Sequence, residues 1–248
     1  MKNNIKGCAV ITGAARGIGA AAAYELSQMG FPVIVNYREN EDAARKTLQR
    51  IIDNGSSGII FRCDVANRED VDKMVEAAVR EFGRIDVLVN NAGISQIKLF
   101  TDITADDWKK MVGVNLDGVF NCCQSVLPHM IHEKSGRIIN VSSVWGVYGA
   151  SCEVHYSAVK AGVIGLTKAL SKEVAPSGIT VNCIAPGCIM TDMLKEDCDE
   201  ETIRSLSEET PLGRIGTPED AAKAIAFLAG SGASFITGQT LGVDGGFC

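Results

Sequence analysis

Short apolar runs alternate with longer segments of helical periodicity along nearly the whole chain, and that alternation leaves few folds open. Gly7 to Gly13, Phe31 to Tyr37, Gly58 to Cys63, Ile85 to Asn90, Arg137 to Ser142 and Ile179 to Ile184 each read as a strand, with Gln239 to Val243 as a last one. Between them lie an alanine-rich helix to Met29, a polar-faced helix from Asn40 to Asp53, a helix from an Asn67 cap to Phe82, and a long segment from Thr104 to Met130 expected to be broken. A further helix carries Tyr156 and Lys160, and another starts at Thr217-Pro218-Glu219 and ends near Gly230, with proline at its first position and acids behind it. Strands joined by helices of this length run parallel, in a sheet covered on both faces. Because no linker interrupts the alternation, a single α/β domain over 1–248 is expected, although the length alone slightly favours two.

Composition sets bounds on function. With 46% hydrophobic and 22% charged residues, the chain supports a sizeable core. A net charge of -6 without any Lys/Arg block argues against a nucleic-acid surface. No apolar run approaches the roughly 20 residues of a membrane span, and the stretch from Met1 into the first strand has no signal-peptide character. The nine cysteines are odd in number and lack a framework spacing, and several sit in apolar runs where a thiol packs as a small hydrophobe. Reduced thiols in a cytoplasmic protein are expected. The Cys122-Cys123 pair has the wrong spacing for a metal knuckle, so no metal site is anticipated.

The first strand leads into Ala14-Ala15-Arg16-Gly17-Ile18-Gly19 and then a helix. A glycine turn between strand and helix lets backbone N–H groups and the positive helix end approach a phosphate pair, and at the first such turn of an α/β chain it points to dinucleotide binding. Three glycines alone would serve tight packing equally well. The second strand ends in Asn36-Tyr37-Arg38, without the carboxylate that would grip an adenosine ribose. Arg16 and Arg38 together suit a 2′-phosphate, which gives a preference for NADPH, while the ordinary role of either arginine is that of a solvated loop cation.

Tyr156 and Lys160 stand four apart on one helical face. A phenol titrates near 10, and using its anion at neutral pH means stabilising it by roughly 4 kcal/mol. One ammonium at about 4 Å in a medium of dielectric about 20 supplies roughly that much. Ser143, at the end of the fifth strand, can hold a carbonyl while the tyrosine gives or takes a proton. Singly, Tyr-x-x-x-Lys is a common surface pattern and Ser142-Ser143 a common turn. Asn115, in an apolar helical stretch, has two readings: a hydrogen bond to a backbone kink, or a water-linked proton path from Lys160. Residues 191 to 213 read as a substrate lid or as a plain surface helix.

Taken together, Thr12-Gly-Ala-Ala-Arg-Gly-Ile-Gly19, Asn90-Asn91-Ala92-Gly93, Asn115, Ser143, Tyr156-x-x-x-Lys160 and Pro186-Gly187 with Thr191 resemble the short-chain dehydrogenase/reductase family over essentially the whole chain. The resemblance implies a three-layer Rossmann fold with a doubly wound, seven-stranded parallel sheet, and a homotetramer. By position it makes Asn115, Ser143, Tyr156 and Lys160 catalytic. It makes Gly13, Arg16, Gly17, Ile18, Gly19, Arg38, Asp64, Val65, Asn91, Ala92, Gly93, Tyr156, Lys160, Pro186, Gly187, Ile189 and Thr191 the lining of an NADP(H) site.

Within the family the chain looks most like reductases of 3-oxoacyl thioesters on acyl carrier protein. Lys134 fits a carrier-docking cation near the mouth of the site, whereas Ser177 stands where such enzymes often have another. Ile94 to Phe100, Trp145 and Gly149 to Glu153 also resemble a branch that reduces an aminopentanone group on elongation factor P, where Glu153 would attract the ammonium. A hydroxysteroid or small-alcohol dehydrogenase is a third reading, since one scaffold hosts many pockets. A non-catalytic dinucleotide sensor is the reading from another class, and the presence of Ser143, Tyr156 and Lys160 together argues against it.

Overall fold

The computed structural model describes residues 7–192, 194 and 199–247. Seven strands, β1 (Cys8–Ile11), β2 (Val33–Tyr37), β3 (Gly58–Arg62), β4 (Ile85–Asn90), β5 (Gly136–Val141), β6 (Ile179–Pro186) and β7 (Thr240–Val243), form one sheet in the order β3-β2-β1-β4-β5-β6-β7. Every pairing is parallel. The chain winds outward from β1 to β3 and then crosses back to β4, so the order reverses between β1 and β4, where a parallel sheet opens a crevice beyond its strand ends.

The described helices are α1 (Gly17–Gln28), α2 (Glu41–Asp53), α3 (Arg68–Phe82), α4 (Ala105–Val112), α5 (Gly118–Glu133), α6 (Trp145–Tyr148), α7 (Val154–Val174), α8 (Glu200–Glu209) and α9 (Pro218–Ala229). Side chains alternate across the sheet. Ala9, Ile11, Val33 and Val35 face a layer built on Ala22 and Leu26 of α1, Ile51 of α2 and Ile225 of α9. Cys8, Val10, Ile34 and Leu88 face the other layer, with Met74 of α3, Val126 of α5 and Val163 of α7. This is the doubly wound Rossmann arrangement that the alternation requires. Truncating a fully buried Leu88 or Ile138 to alanine in such a core costs about 2–5 kcal/mol.

Local chemistry sets the ends of the helices. Asn67 Oδ1 accepts from the N–H groups of Glu69 and Asp70, and Thr217 and Asp220 form a capping box with Pro218 at the first position of α9. The segment expected to break between Thr104 and Met130 instead continues from α4 to α5 through one π turn, Gly113–Asp117. Most of the expected strands begin or end a residue or two inside the apolar runs that announce them. The expected lid over 191–213 contains α8, capped by Asp199, while residues 193 and 195–198 lie outside the described residues. Among the described residues no helix is long and apolar enough to cross a membrane. They also hold no group of three metal-ligating side chains.

Lys134 corrects one expectation. It ends α5 in the left-handed region and leads directly into β5. Ser143 follows the other end of that strand, so within one chain roughly 20 Å of extended backbone separates the two. Lys134 does not stand at the mouth of its own site.

Candidate active site

Thr12 joins the two strands that flank the crevice. Its hydroxyl donates to the carbonyl of Val89 at 3.3 Å and accepts from the N–H groups of Asn91 and Ala92 at 2.9 and 3.0 Å. Asn91 returns the connection, donating from Nδ2 to the carbonyls of Thr12 and Gly13. Gly13 and Gly17 take positive φ, and a Cβ on Gly19 would lie 2.4 Å from the Gly13 oxygen. The first turn of α1 holds no acid, and no side chain caps it. A bare, positively polarised helix end above a backbone stripped of Cβ atoms fits the pyrophosphate of a dinucleotide.

Beyond the glycine turn, Gly17 faces Thr191, whose Cγ2 would sit 3.3 Å from an added Cβ, and Arg16 pairs with Asp192 at 3.3 Å. The predicted glycine turn and the predicted 186–191 strand exit therefore meet, with Ile18 between Gly17 and Gly19 on the same turn. Ile189 is buried and bridges to Gly216, and Gly187 donates to the carbonyl of Val243 while packing on Asp244. Pro186 accepts from the N–H of Val144 at 2.9 Å.

At the end of β2, Arg38 is exposed and pairs with Glu39 at 2.5 Å. Asp64 Oδ1 accepts from the N–H of Ala66, and the carbonyl of Val65 accepts from Nδ2 of Asn121 at 3.0 Å. The residue that sequence reasoning passed over is Asn36. It is almost wholly buried, accepts from the N–H of Gly13 at 3.0 Å, and donates to the carbonyls of Phe61 and Cys63. One amide thus joins the ends of three strands, a role its position beside the expected ribose contact did not announce.

Lys160 and Tyr156 share a face of α7, with the Lys160 ammonium 5.5 Å from the centre of the Tyr156 ring. Lys160 is 4% exposed and donates to the carbonyl of Val141 at 2.9 Å, and its own carbonyl accepts from the Ser142 hydroxyl at 2.8 Å. Burial pushes the ammonium down to about 8, and the neighbouring Cys183 thiol acts the other way. At neutral pH it is still mostly charged. Ser143 accepts from the N–H of Trp145 at 3.1 Å, so the ordinary capping role is real, but its hydroxyl hydrogen is left to donate.

Asn115 lies in the π turn, fully buried. It donates to the carbonyls of Ile94 and Met111, both at 3.1 Å, and accepts from the N–H of Ile94 at 3.2 Å. The structural reading of Asn115 is therefore fulfilled. Its Oδ1 and the Lys160 ammonium also converge on Gly93, at 2.8 and 3.4 Å from where a Cβ would stand.

The loops above the crevice bring together segments far apart in sequence. Lys98 N–H donates to the carbonyl of Cys152 at 2.7 Å, joining the 94–100 loop to the 149–153 loop. Trp145 meets Phe247 edge-on, with centroids 5.7 Å apart. Sequence reasoning did not single out His155 or Phe247. His155 Nε2 lies 2.9 Å from Gln96 Oε1, and Gln96 Nε2 donates to Asp107 at 3.0 Å. A histidine beside Tyr156 was the one available signal.

A doubly wound sheet with a glycine turn at its reversal point and a serine, tyrosine and lysine around the end of β5 defines a dinucleotide-dependent class of protein. A family model described as enoyl-(acyl carrier protein) reductase matches residues 13–248. The chain belongs to the short-chain dehydrogenase/reductase family. It is 46% identical over 239 residues to a 3-oxoacyl-[acyl-carrier-protein] reductase of Synechocystis sp., with 96% of this chain and 95% of that protein covered. Proteins of the same description from Staphylococcus epidermidis and Thermotoga maritima are 43% and 44% identical, each over 96% of this chain.

Proposed function

We propose that the chain reduces a ketone to a secondary alcohol, with a 3-oxoacyl thioester on acyl carrier protein as the favoured substrate and NADPH as the favoured cofactor. The observation that carries this reading is the buried Lys160 ammonium set beside Tyr156 and anchored to the strand end that leads into Ser143. The dinucleotide, when bound, supplies the hydride.

The chain's own residues do the rest. The free hydroxyl hydrogen of Ser143 orients the carbonyl oxygen, and Tyr156 delivers the proton that this oxygen needs as the carbon is reduced. The Lys160 charge offsets the roughly 4 kcal/mol cost of leaving a phenolate near neutral pH. Asn115 fixes Ile94 and Gly93, and with them the floor on which the reacting groups meet. The uncapped start of α1 with Gly13, Gly17 and Gly19 would hold the pyrophosphate, and Arg16 with Arg38 the 2′-phosphate. Exposed Trp108 on α4, Phe120 on α5, Phe227 on α9 and Phe235 give the molecule apolar faces that support a homotetramer, which sedimentation would test.

The description of the matching family model names an enoyl substrate, whereas the relatives are described as acting on 3-oxoacyl groups. A protonated phenol held by an ammonium suits a carbonyl oxygen, so the C=O reading is favoured. The test is the initial rate of NADPH oxidation with acetoacetyl thioester, beside crotonyl thioester, an amino ketone and a keto-steroid, and beside NADH. Turnover of acetoacetyl thioester with NADPH preference is the expected result. A silent acetoacetyl thioester would overturn the reading. An active amino ketone would then move it to protein-modification chemistry with Glu153 as the ammonium partner, and an active steroid to a small-molecule dehydrogenase. NADPH binding with no turnover of any substrate would leave the sensor.

A further inference from the structure

Behind Tyr156 lies a chain of polar side chains that the reduction itself does not use. His155 is wholly buried, and its Nε2 stands 2.9 Å from Gln96 Oε1. Gln96 Nε2 donates to Asp107 Oδ1 at 3.0 Å, and Asp107 Oδ2 accepts from Lys98 Nζ at 2.7 Å, from the Thr104 N–H at 2.9 Å and from the Thr104 hydroxyl at 2.7 Å. Three elements meet here: α7, the 94–100 loop and the start of α4.

The chemistry of Asp107 orients every link. An ionised carboxylate only accepts, so the Gln96 NH2 must face it, and the Gln96 oxygen must face His155. His155 therefore donates from Nε2, which makes it the Nε2–H tautomer and leaves Nδ1 bare. Nδ1 is buried and has no partner. A second proton there would have nothing to donate to, and burial likewise disfavours the imidazolium, with the Asp107 charge raising its affinity for a proton and the Lys98 charge lowering it. Lys98 and Gln96 hold Asp107 well below the usual carboxylate range, so the acceptor end of the chain stays charged.

The 94–100 loop carries no regular structure before its last residue, and it follows Gly93 and Ile94 on the floor of the site. It is held by, among others, the Asn115 bonds to Ile94, the Lys98 N–H bond to Cys152, the Gln96 and Lys98 side-chain bonds to Asp107, and the Gln96 contact with His155. Among these, the Gln96 contact with His155 ties the loop to the helix that bears the proton donor. We propose that His155 is a positioning residue: through Gln96 it locks the 94–100 loop to the Tyr156 helix and so sets the wall against which the substrate carbonyl is held. The assignment of that wall to substrate rests on the reductase reading above.

The test combines three variants with readouts that a merely structural role would not move. His155→Leu removes the donor, His155→Gln keeps a donor N–H at a similar reach, and Gln96→Glu sets a second carboxylate against Asp107. Loss of one buried partner predicts that His155→Leu speeds hydrogen exchange at the Lys98 amide by about tenfold and raises KM for acetoacetyl thioester by about tenfold. In that variant kcat stays within about threefold of wild type and NADPH affinity is unchanged, and His155→Gln restores both values. Gln96→Glu should gain activity as pH falls, because one shared proton relieves the two carboxylates.

Nitrogen NMR of the wild type at neutral pH should show His155 as the neutral Nε2–H tautomer. Unchanged loop exchange and KM in His155→Leu, a glutamine variant as poor as leucine, or an Nδ1–H tautomer would each overturn the proposal. If His155→Leu does not fold, Gln96→Glu and the wild-type tautomer decide. If the wild type does not reduce the thioester, the reductase reading fails while the exchange and tautomer measurements still judge the lock.

Discussion

The Lys160 ammonium donates to the carbonyl oxygen of Val141 at 2.9 Å, so the residue one turn beyond Tyr156 is anchored to the last residue of β5. That bond gives a buried cation the partner it needs. It also sets the reach of Lys160 by the sheet, leaving the remaining ammonium hydrogens for whatever lies over Tyr156 and Gly93.

Tyr156→Phe removes the phenol oxygen and keeps the ring. Turnover should fall by about 10²–10⁴-fold, the usual contribution of a positioned acid, with NADPH affinity unchanged. Steady-state rates and a fluorescence titration of NADPH check the two halves. A phenylalanine variant that turns over within threefold of wild type would remove Tyr156 from the chemistry.

Burial lowers Lys160 from an ordinary 10.5 to about 8, which makes stability depend on pH. Between those values the unfolded chain binds the proton that the folded chain has lost. The cost of burying the charge is therefore full below about 8 and is relieved as pH rises toward 10.5, by about 3 kcal/mol. Urea unfolding of the cofactor-free protein at pH 7.5 and pH 10 should show wild type gaining on Lys160→Met by a sizeable part of that amount. Equal changes in the two proteins would mean that the ammonium is not suppressed.

Arg38 shares its guanidinium with Glu39. Arg38→Ala should raise KM for NADPH about tenfold and leave KM for NADH nearly unchanged, as loss of a charge-assisted contact predicts. Glu39→Gln should do the reverse, tightening NADPH a few-fold at low salt and less at high salt. Parallel effects on both dinucleotides would place the 2′-phosphate elsewhere or nowhere.

Asn115→Ala strands the Ile94 and Met111 carbonyls and the Ile94 N–H inside the protein. A loss of about 3 kcal/mol in denaturant unfolding is expected. A loss under about 1 kcal/mol would mean that the π turn keeps its shape without the amide.

Gly19→Ala sets a methyl 2.4 Å from the Gly13 oxygen, in the backbone of the turn itself, and 2.5 Å from Nδ2 of Asn91, which follows β4. The backbone must shift, and dinucleotide affinity should fall by at least about tenfold with the fold intact. Calorimetric titration and circular dichroism read the two quantities separately.

What the sequence disclosed follows from distance along the chain. The strand and helix alternation, the Asn67 cap and the Thr217-Pro218 start are local signals, and each stands where the pattern placed it. The glycine turn, Ser143, Tyr156 and Lys160 could be named because their spacing within a turn or across one strand is fixed by helix and sheet geometry. Asn36 and His155 could not. Their partners lie 23 to 59 residues away, and a buried asparagine or histidine has no periodicity to betray which carbonyl or amide it meets. The Asn90–Asn140–Thr167 ladder across β4, β5 and α7 was hidden for the same reason. Lys134 shows the converse error, since a plausible neighbour by pattern stands at the opposite end of β5.

The π turn at Gly113–Asp117 has one residue more than the helix around it strictly needs. In a regular α-helix each residue turns the chain by about 100°. Deleting one residue there would mend the hydrogen-bond ladder and, in the same stroke, rotate α4 against α5 by that angle, swinging Asp107 away from Gln96 and Lys98. The surplus residue therefore works as a phase adjustment between two rods, timing the polar face of the first to the floor that the second helps to hold.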